Sequence, residues 1–189
     1  MPPVIVPAPE RLGPGPSPEA VACALAAAGA PGLSWLDGAG WGKALLAAWP
    51  KRELVSLSSE PDPLPALEAL CAEGLVLLAA GYDLGGRMDR FSWKAKDDLG
   101  EPELEAALYP GALLHDGREW WAVGQPSGGL LKALSSAREP GEPTAAPTPG
   151  GLERNFSPEG FRAAVAEARR LIFDGEIYQA NLAQRFRMA

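Results

Sequence analysis

From Glu139 to Gly151 the chain reads EPGEPTAAPTPGG, a proline density that neither a helix interior nor a central strand tolerates. Each proline fixes its φ angle and removes one hydrogen-bond donor, so the segment is expected to run extended and semi-rigid. It divides the 189 residues into an amino-terminal domain (1–138), a linker (139–152) and the opening of a second domain (153–189).

The part after the linker carries the most specific pattern. Ser157 is placed to cap a helix, and Pro158 costs no hydrogen bond at its first position. Phe161, Ala164, Val165, Ala168, Leu171 and Ile172 then recur on one helical face. Gly175 suits the left-handed turn that ends such a helix. From Ile177 the period becomes two, with Tyr178, Leu182 and Phe186 on one side and Gln179, Asn181 and Arg185 on the other. The pattern predicts a buried helix docked beside a strand.

Before the linker the reading is of an α+β domain, rich in strands with helices on its faces. Met1–Pro18 is proline-rich and expected to be extended. Helices are predicted over Glu19–Ala28, Leu64–Ala72 and Leu130–Arg138. Strands are predicted over Leu33–Leu36 and Glu53–Ser58, while Lys43–Trp49 fits either a strand or a helix. The apolar run Leu75–Tyr82 predicts a central strand buried on both faces. Asp116-Gly117, flanked by extended arms, predicts a hairpin within Ala112–Trp121.

Composition narrows the function. A net charge of −7 and a pI near 4.8 disfavour nucleic acid, whose phosphates need a basic stripe. No apolar run approaches the ~20 residues that span a bilayer, and no signal-peptide pattern opens the chain, so a cytoplasmic protein without membrane contact is expected. Cys23 and Cys71 read as reduced, buried thiols. The tryptophans are expected in packing roles. The one histidine, His115, flanks the predicted hairpin turn and reads as an exposed structural residue. The glycines around Tyr82-Asp83-Leu84 have the wrong spacing for a phosphate loop, and Asp83 is expected to pair with Arg87. No nucleophile elbow, paired-carboxylate helix or metal-ligand spacing is present; the catalytic and metal sets are therefore empty.

Asp174-Gly175-Glu176-Ile177-Tyr178-Gln179-Ala180-Asn181-Leu182-Ala183-Gln184-Arg185-Phe186 resembles the signature that opens the chorismate-binding domain of the aminodeoxychorismate synthase and anthranilate synthase component I family. Gly81-Tyr82-Asp83-Leu84 with Arg87 resembles a block of the aminodeoxychorismate branch, and Leu36-Asp37-Gly38 occupies the place of the family's Leu-Glu-Ser block. The resemblance implies chorismate as substrate, Mg²⁺ as cofactor, and ammonia delivered by a glutaminase (glutamine amidotransferase) subunit. It marks Tyr178, Gln179, Asn181, Gln184 and Arg185 as signature residues. It also marks Leu36, Asp37, Gly38, Trp41 and Lys43 as walls of a vestigial tryptophan-type pocket. Gly38 stands where a serine hydroxyl would hold the inhibitor, a loss of about 1 kcal/mol or more, so tryptophan feedback is not expected. The family's catalytic and metal-binding motifs lie later than these residues, which implies an inactive amino-terminal fragment. The aminodeoxychorismate branch is favoured over the anthranilate branch, and a free-standing binding module is the third reading.

Overall fold

The computed structural model describes residues 8–38, 43–89, 99–141 and 151–188. The chain divides into two units, Met1–Gly141 and Glu142–Ala189. Among the described residues the first unit holds strands β1 (Glu10–Gly13), β2 (Ser34–Asp37), β3 (Ala44–Ala47), β4 (Arg52–Ser56), β5 (Leu75–Ala80), β6 (Leu104–Tyr109), β7 (Gly111–His115) and β8 (Trp120–Gly124). Its helices are α1 (Pro18–Ala27), α2 (Leu64–Cys71), α3 (Gly85–Asp89) and α4 (Gly128–Ser136). The second unit holds β9 (Leu152–Arg154), α5 (Pro158–Phe173) and β10 (Phe186–Met188). The class is α+β, as expected.

Two antiparallel sheets organise the first unit. The larger runs β1-β8-β7-β3-β2 and the smaller β4-β6-β5. Because successive side chains alternate across a strand, each sheet feeds two cores. Ala44, Leu46, Leu113 and Trp120 face Val21 and Leu25 of α1 and Leu130 of α4. The other face of the same sheet gives Leu45, Ala47 and Ala112, which meet Leu75, Leu77, Ala107 and Tyr109 of the smaller sheet. On the far side of the smaller sheet, Leu54, Val76, Ala106 and Leu108 pack against Leu67 and Leu70 of α2. The layers are therefore helix, sheet, sheet, helix.

Local chemistry fixes the ends. Ser17 Oγ accepts from Ala20 N at 3.2 Å to cap α1, and Pro18 follows at the first position. Glu139 accepts from both Ser17 N (2.8 Å) and Ser17 Oγ (2.7 Å), and these bonds hold its carboxyl below the usual range. The β7–β8 turn is built on Asp116. Its Oδ1 accepts from Arg118 N (2.9 Å) and Glu119 N (3.0 Å), and its Oδ2 accepts from Trp121 Nε1 (2.9 Å). The Glu119 and Arg118 amides, with the indole of Trp121, lower the Asp116 pKa to about 2. Gly117 supplies the φ of +100° that closes the turn.

Several expectations need correction. Leu75–Tyr82 is not a central strand: β5 is an edge of the smaller sheet, and its last three residues are exposed. The centre is β6, which sequence reading missed because Leu-Glu-Ala-Ala-Leu favours helix locally; tertiary pairing with β4 and β5 overrides it. Lys43–Trp49 resolves as strand. Cys23 and Cys71 are free and exposed rather than buried, since α1 turns Val21, Ala22 and Leu25 inward and α2 buries only Leu70. His115 is half-buried, its ring 4.9 Å from that of the fully buried Trp120. Trp49 packs against Gly129, where any side chain would collide with its indole, whereas Trp35 is exposed. Trp93 lies outside the described residues.

In the second unit, Ser157 Oγ accepts from Gly160 N at 3.0 Å, Pro158 opens α5, and Gly175 ends it at φ +76°. The predicted helical period is present, with Phe161, Ala164, Val165, Ala168 and Leu171 half-buried. The predicted burial is not: no α5 residue is buried, and Ile172 and Phe173 are exposed. Nor does a strand run from Ile177. Only Phe186–Met188 is extended, pairing with Leu152–Arg154, because 177–185 find no strand partner among the described residues.

Two measurements check this picture. In hydrogen exchange, the amides of α5 are expected to exchange faster than those of β7 and β8, whose side chains lie in two cores; equal protection would contradict the exposure of α5. In pH-dependent thermal unfolding, Asp116→Asn is expected to remove an acid-limb contribution. A lowered folded pKa stabilises above the unfolded value of 3.8 and is lost as pH falls towards about 2. The gap between wild type and D116N should therefore be constant at neutral pH and shrink across that window.

Candidate functional site

A cavity of about 500 Å³ opens between the two sheets of the first unit. The segment Gly32–Leu36 walls it from the larger sheet; Glu53, Val55, Leu77, Glu105, Ala107 and Tyr109 wall it from the smaller. Register explains the set. Ser34 and Leu36 pair with Ala47 and Leu45, so they share the face that turns to the smaller sheet. Glu53 pairs with Ala107 and Val55 with Glu105, which puts both glutamates on one face of adjacent strands.

Tyr109 fixes the depth of the cavity. Its ring is buried, its hydroxyl donates to Gly32 O at 2.7 Å, and it lies 2.7 Å from Ser34 Oγ, which is left to donate in turn. Both sheets are thus tied at one hydroxyl. Sequence reasoning identified neither Tyr109 nor the two glutamates as cavity residues. The usable signal was the alternation of Glu105, Ala107 and Tyr109 along β6, hidden by the helical propensity of that segment.

The residues proposed for the tryptophan-type pocket are only partly gathered. Leu36 lines the cavity. Asp37, exposed at the end of β2, pairs with Ala44, and Lys43 is exposed beside it. Gly38 N donates to Lys43 O at 2.7 Å, and a Cβ on Gly38 would stand 2.6 Å from that same oxygen. The close approach of the two backbones therefore excludes a serine without rearrangement. Trp41 lies outside the described residues.

The Gly81 block forms a clip. Gly81 N donates to Glu103 O at 2.8 Å, and Leu84 is buried. The Arg87 guanidinium donates to the carbonyls of Glu60 (2.7 Å), Leu57 (3.0 Å) and Ser58 (3.0 Å), and pairs with the buried Glu103 carboxylate. The expected partner of Arg87 was Asp83; the carboxylate it meets is Glu103, since α3 turns the guanidinium towards the β4–α2 loop. An arginine holding three carbonyls and a buried acid fixes a loop, which is a structural role.

The signature of the second unit is largely exposed. Tyr178 is 95% exposed, and Gln179 and Asn181 are exposed. Gln184 Nε2 donates to Phe156 O at 3.1 Å, and Arg185 N donates to Asn155 Oδ1 at 2.8 Å. Those two contacts fold 184–185 back onto the segment between β9 and α5. Among the described residues no group of three or more His, Cys, Asp or Glu comes together. No described helix is long and apolar enough to cross a membrane.

Comparison with known proteins supplies the family. The model of the chorismate binding enzyme family matches residues 37–189. Aminodeoxychorismate synthase component 1 of Klebsiella aerogenes is 30% identical over 139 residues, which are 71% of this chain and 30% of that protein. The chain thus spans less than a third of that relative's length. The matched region reaches from the Asp37 end of β2 through the Gly81 clip to the Tyr178–Arg185 signature, and on it the chain belongs to the chorismate-binding enzyme family.

Proposed function

We propose that this chain serves an aminodeoxychorismate synthase, the enzyme that aminates chorismate with glutamine-derived ammonia on the route to 4-aminobenzoate and folate. In this reading 1–138 are its amino-terminal domain, 139–152 the linker and 153–189 the opening of its chorismate-binding domain. The observation that carries it is the 30% identity to an aminodeoxychorismate synthase component 1, together with the Gly81–Arg87 block of that branch. The aminotransferase chemistry, Mg²⁺ and the glutaminase partner belong to the complete cytoplasmic enzyme, and none of its catalytic residues is assigned among these 189.

The contribution of this chain is then architectural. Arg87 clips the β4–α2 loop, Tyr109 holds the two sheets together, and Tyr178, Gln179, Asn181, Gln184 and Arg185 lead into the chorismate-binding fold. The Leu36–Gly38 wall carries no inhibitor hydroxyl, because Lys43 O already occupies the space a side chain on Gly38 would need. Feedback by tryptophan is accordingly not part of the reading.

The test is an assay of the complete gene product with chorismate, Mg²⁺ and an ammonium salt. The expected product is aminodeoxychorismate, detected as 4-aminobenzoate after lyase treatment, with a rate unchanged by L-tryptophan. Anthranilate fluorescence would assign the protein to the tryptophan branch, and inhibition by L-tryptophan would overturn the reading of Gly38.

A further inference from the structure

We propose that Glu139 is a latch: its carboxylate completes the amino-terminal cap of α1 from 122 residues away, so that the start of α1 and residues 138–141 are ordered or released together. The inference rests on hydrogen bonds within the first unit and stands whether or not the chorismate reading holds.

A helix start is well paired when the cap side chain takes one free amide and an acid at the third position takes the cap residue's own. In α1 the first half is local, since Ser17 Oγ accepts from Ala20 N at 3.2 Å. The third position is Ala20 itself, whose side chain has no acceptor. Glu139 supplies the second half, accepting from Ser17 N at 2.8 Å and from Ser17 Oγ at 2.7 Å. The receiving end is anchored in the core. Trp120 Nε1 donates to Pro16 O at 2.9 Å, and Gly15 lies so close to that buried indole that a Cβ would stand 2.9 Å from it. The delivering end is exposed: α4 closes at Ser136, Ala137 N still donates to Ala133 O at 2.8 Å, and Arg138, Glu139, Pro140 and Gly141 lie open to solvent. Pro140 brings no amide donor of its own to hold that stretch. Glu139, read from the sequence as the first residue of the linker, thus serves the first unit. Charge adds to the bonds, because a carboxylate is favoured at the positive end of the helix dipole. The Ser17 amide and hydroxyl lower the Glu139 carboxyl below its ordinary 4.5, against a smaller opposing effect of desolvation. The charged residues of the adjoining segments are Glu19 on α1, Lys132 on α4 and Arg138, and none of them contributes to that shift; 13–17 carry no charge. The latch is therefore closed while Glu139 is ionised, and it opens as pH falls below 4.5 through the lower folded value.

The experiment is an NMR pH titration of the ¹⁵N-labelled full chain, wild type and Glu139→Ala. In the wild type the Ser17 amide resonance is expected to move with a midpoint below 4.5, and the ¹H–¹⁵N NOE values of Arg138, Glu139 and Gly141 to fall across the same range. In E139A that titration of Ser17 should be lost. Residues 138, 139 and 141 should then show at neutral pH the low NOE values that the wild type reaches only in acid. The amides of α1 should exchange faster than in the wild type, while those of β7 should not change, which checks the fold in the same sample. A Ser17 amide that does not titrate in the wild type, NOE values in E139A equal to those of the wild type at neutral pH, or unchanged exchange of α1 would each overturn the proposal.

Discussion

The hydroxyl of Tyr109 is the point at which the two sheets of the first unit are joined by hydrogen bonds as well as by packing. It reaches from β6 to Gly32 O and Ser34 Oγ at the start of β2. A buried phenol without such partners would cost on the order of 1–3 kcal/mol, so ring burial and hydroxyl pairing must be satisfied together. That requirement fixes how closely β6 can approach β2. Nearer β3 and β7 the sheets close on small residues, Ala47 and Ala112, and form a core; towards β2, beside Glu53 and Glu105, they part and leave the cavity. The cavity is thus a consequence of how two alternating apolar faces are spaced.

The same spacing explains which residues can be exposed. Strand β3 gives Ala44 and Leu46 to one core and Leu45 and Ala47 to the other, so it tolerates no charge between its ends. The edge strands β4 and β5 carry the departures: Glu53, Val55 and the last residues of β5 are open to solvent. Arg87 offsets one liability of that edge by tethering Leu57, Ser58 and Glu60, the loop that follows β4. In the second unit a strong helical pattern coexists with slight burial. The face from Phe161 to Leu171 is shaped for contact, and its half-buried state shows that periodicity reports the capacity of a helix to pack rather than what it packs against.

How much could be read in advance follows from where the information resides. Caps and turns are local, so Ser157, Pro158, Asp116-Gly117 and Gly175 announced their elements correctly, whereas Pro18, read as the end of an extended run, opens α1. Strand position in a sheet is not local. Leu75–Ala80 has the composition of a central strand yet lies at an edge, and the strand that takes the centre, Leu104–Tyr109, is written in helix-forming residues. The Tyr178–Arg185 signature announced a family, but the strand expected from Ile177 is reduced to Phe186–Met188. The cavity residues were hardest to foresee. Glu53 on β4 is distant in sequence from Glu105 and Tyr109 on β6, and they meet only through the β4–β6 register and the bond to β2.

The most direct measurement is equilibrium urea unfolding of Tyr109→Phe, followed by tryptophan fluorescence; all six tryptophans precede residue 142, so the signal reports the first unit. If the hydroxyl joins the sheets, the variant loses about 1–3 kcal/mol through the unpaired Ser34 and Gly32 groups. A change within about 0.5 kcal/mol of wild type, the size of an ordinary surface substitution, would contradict it.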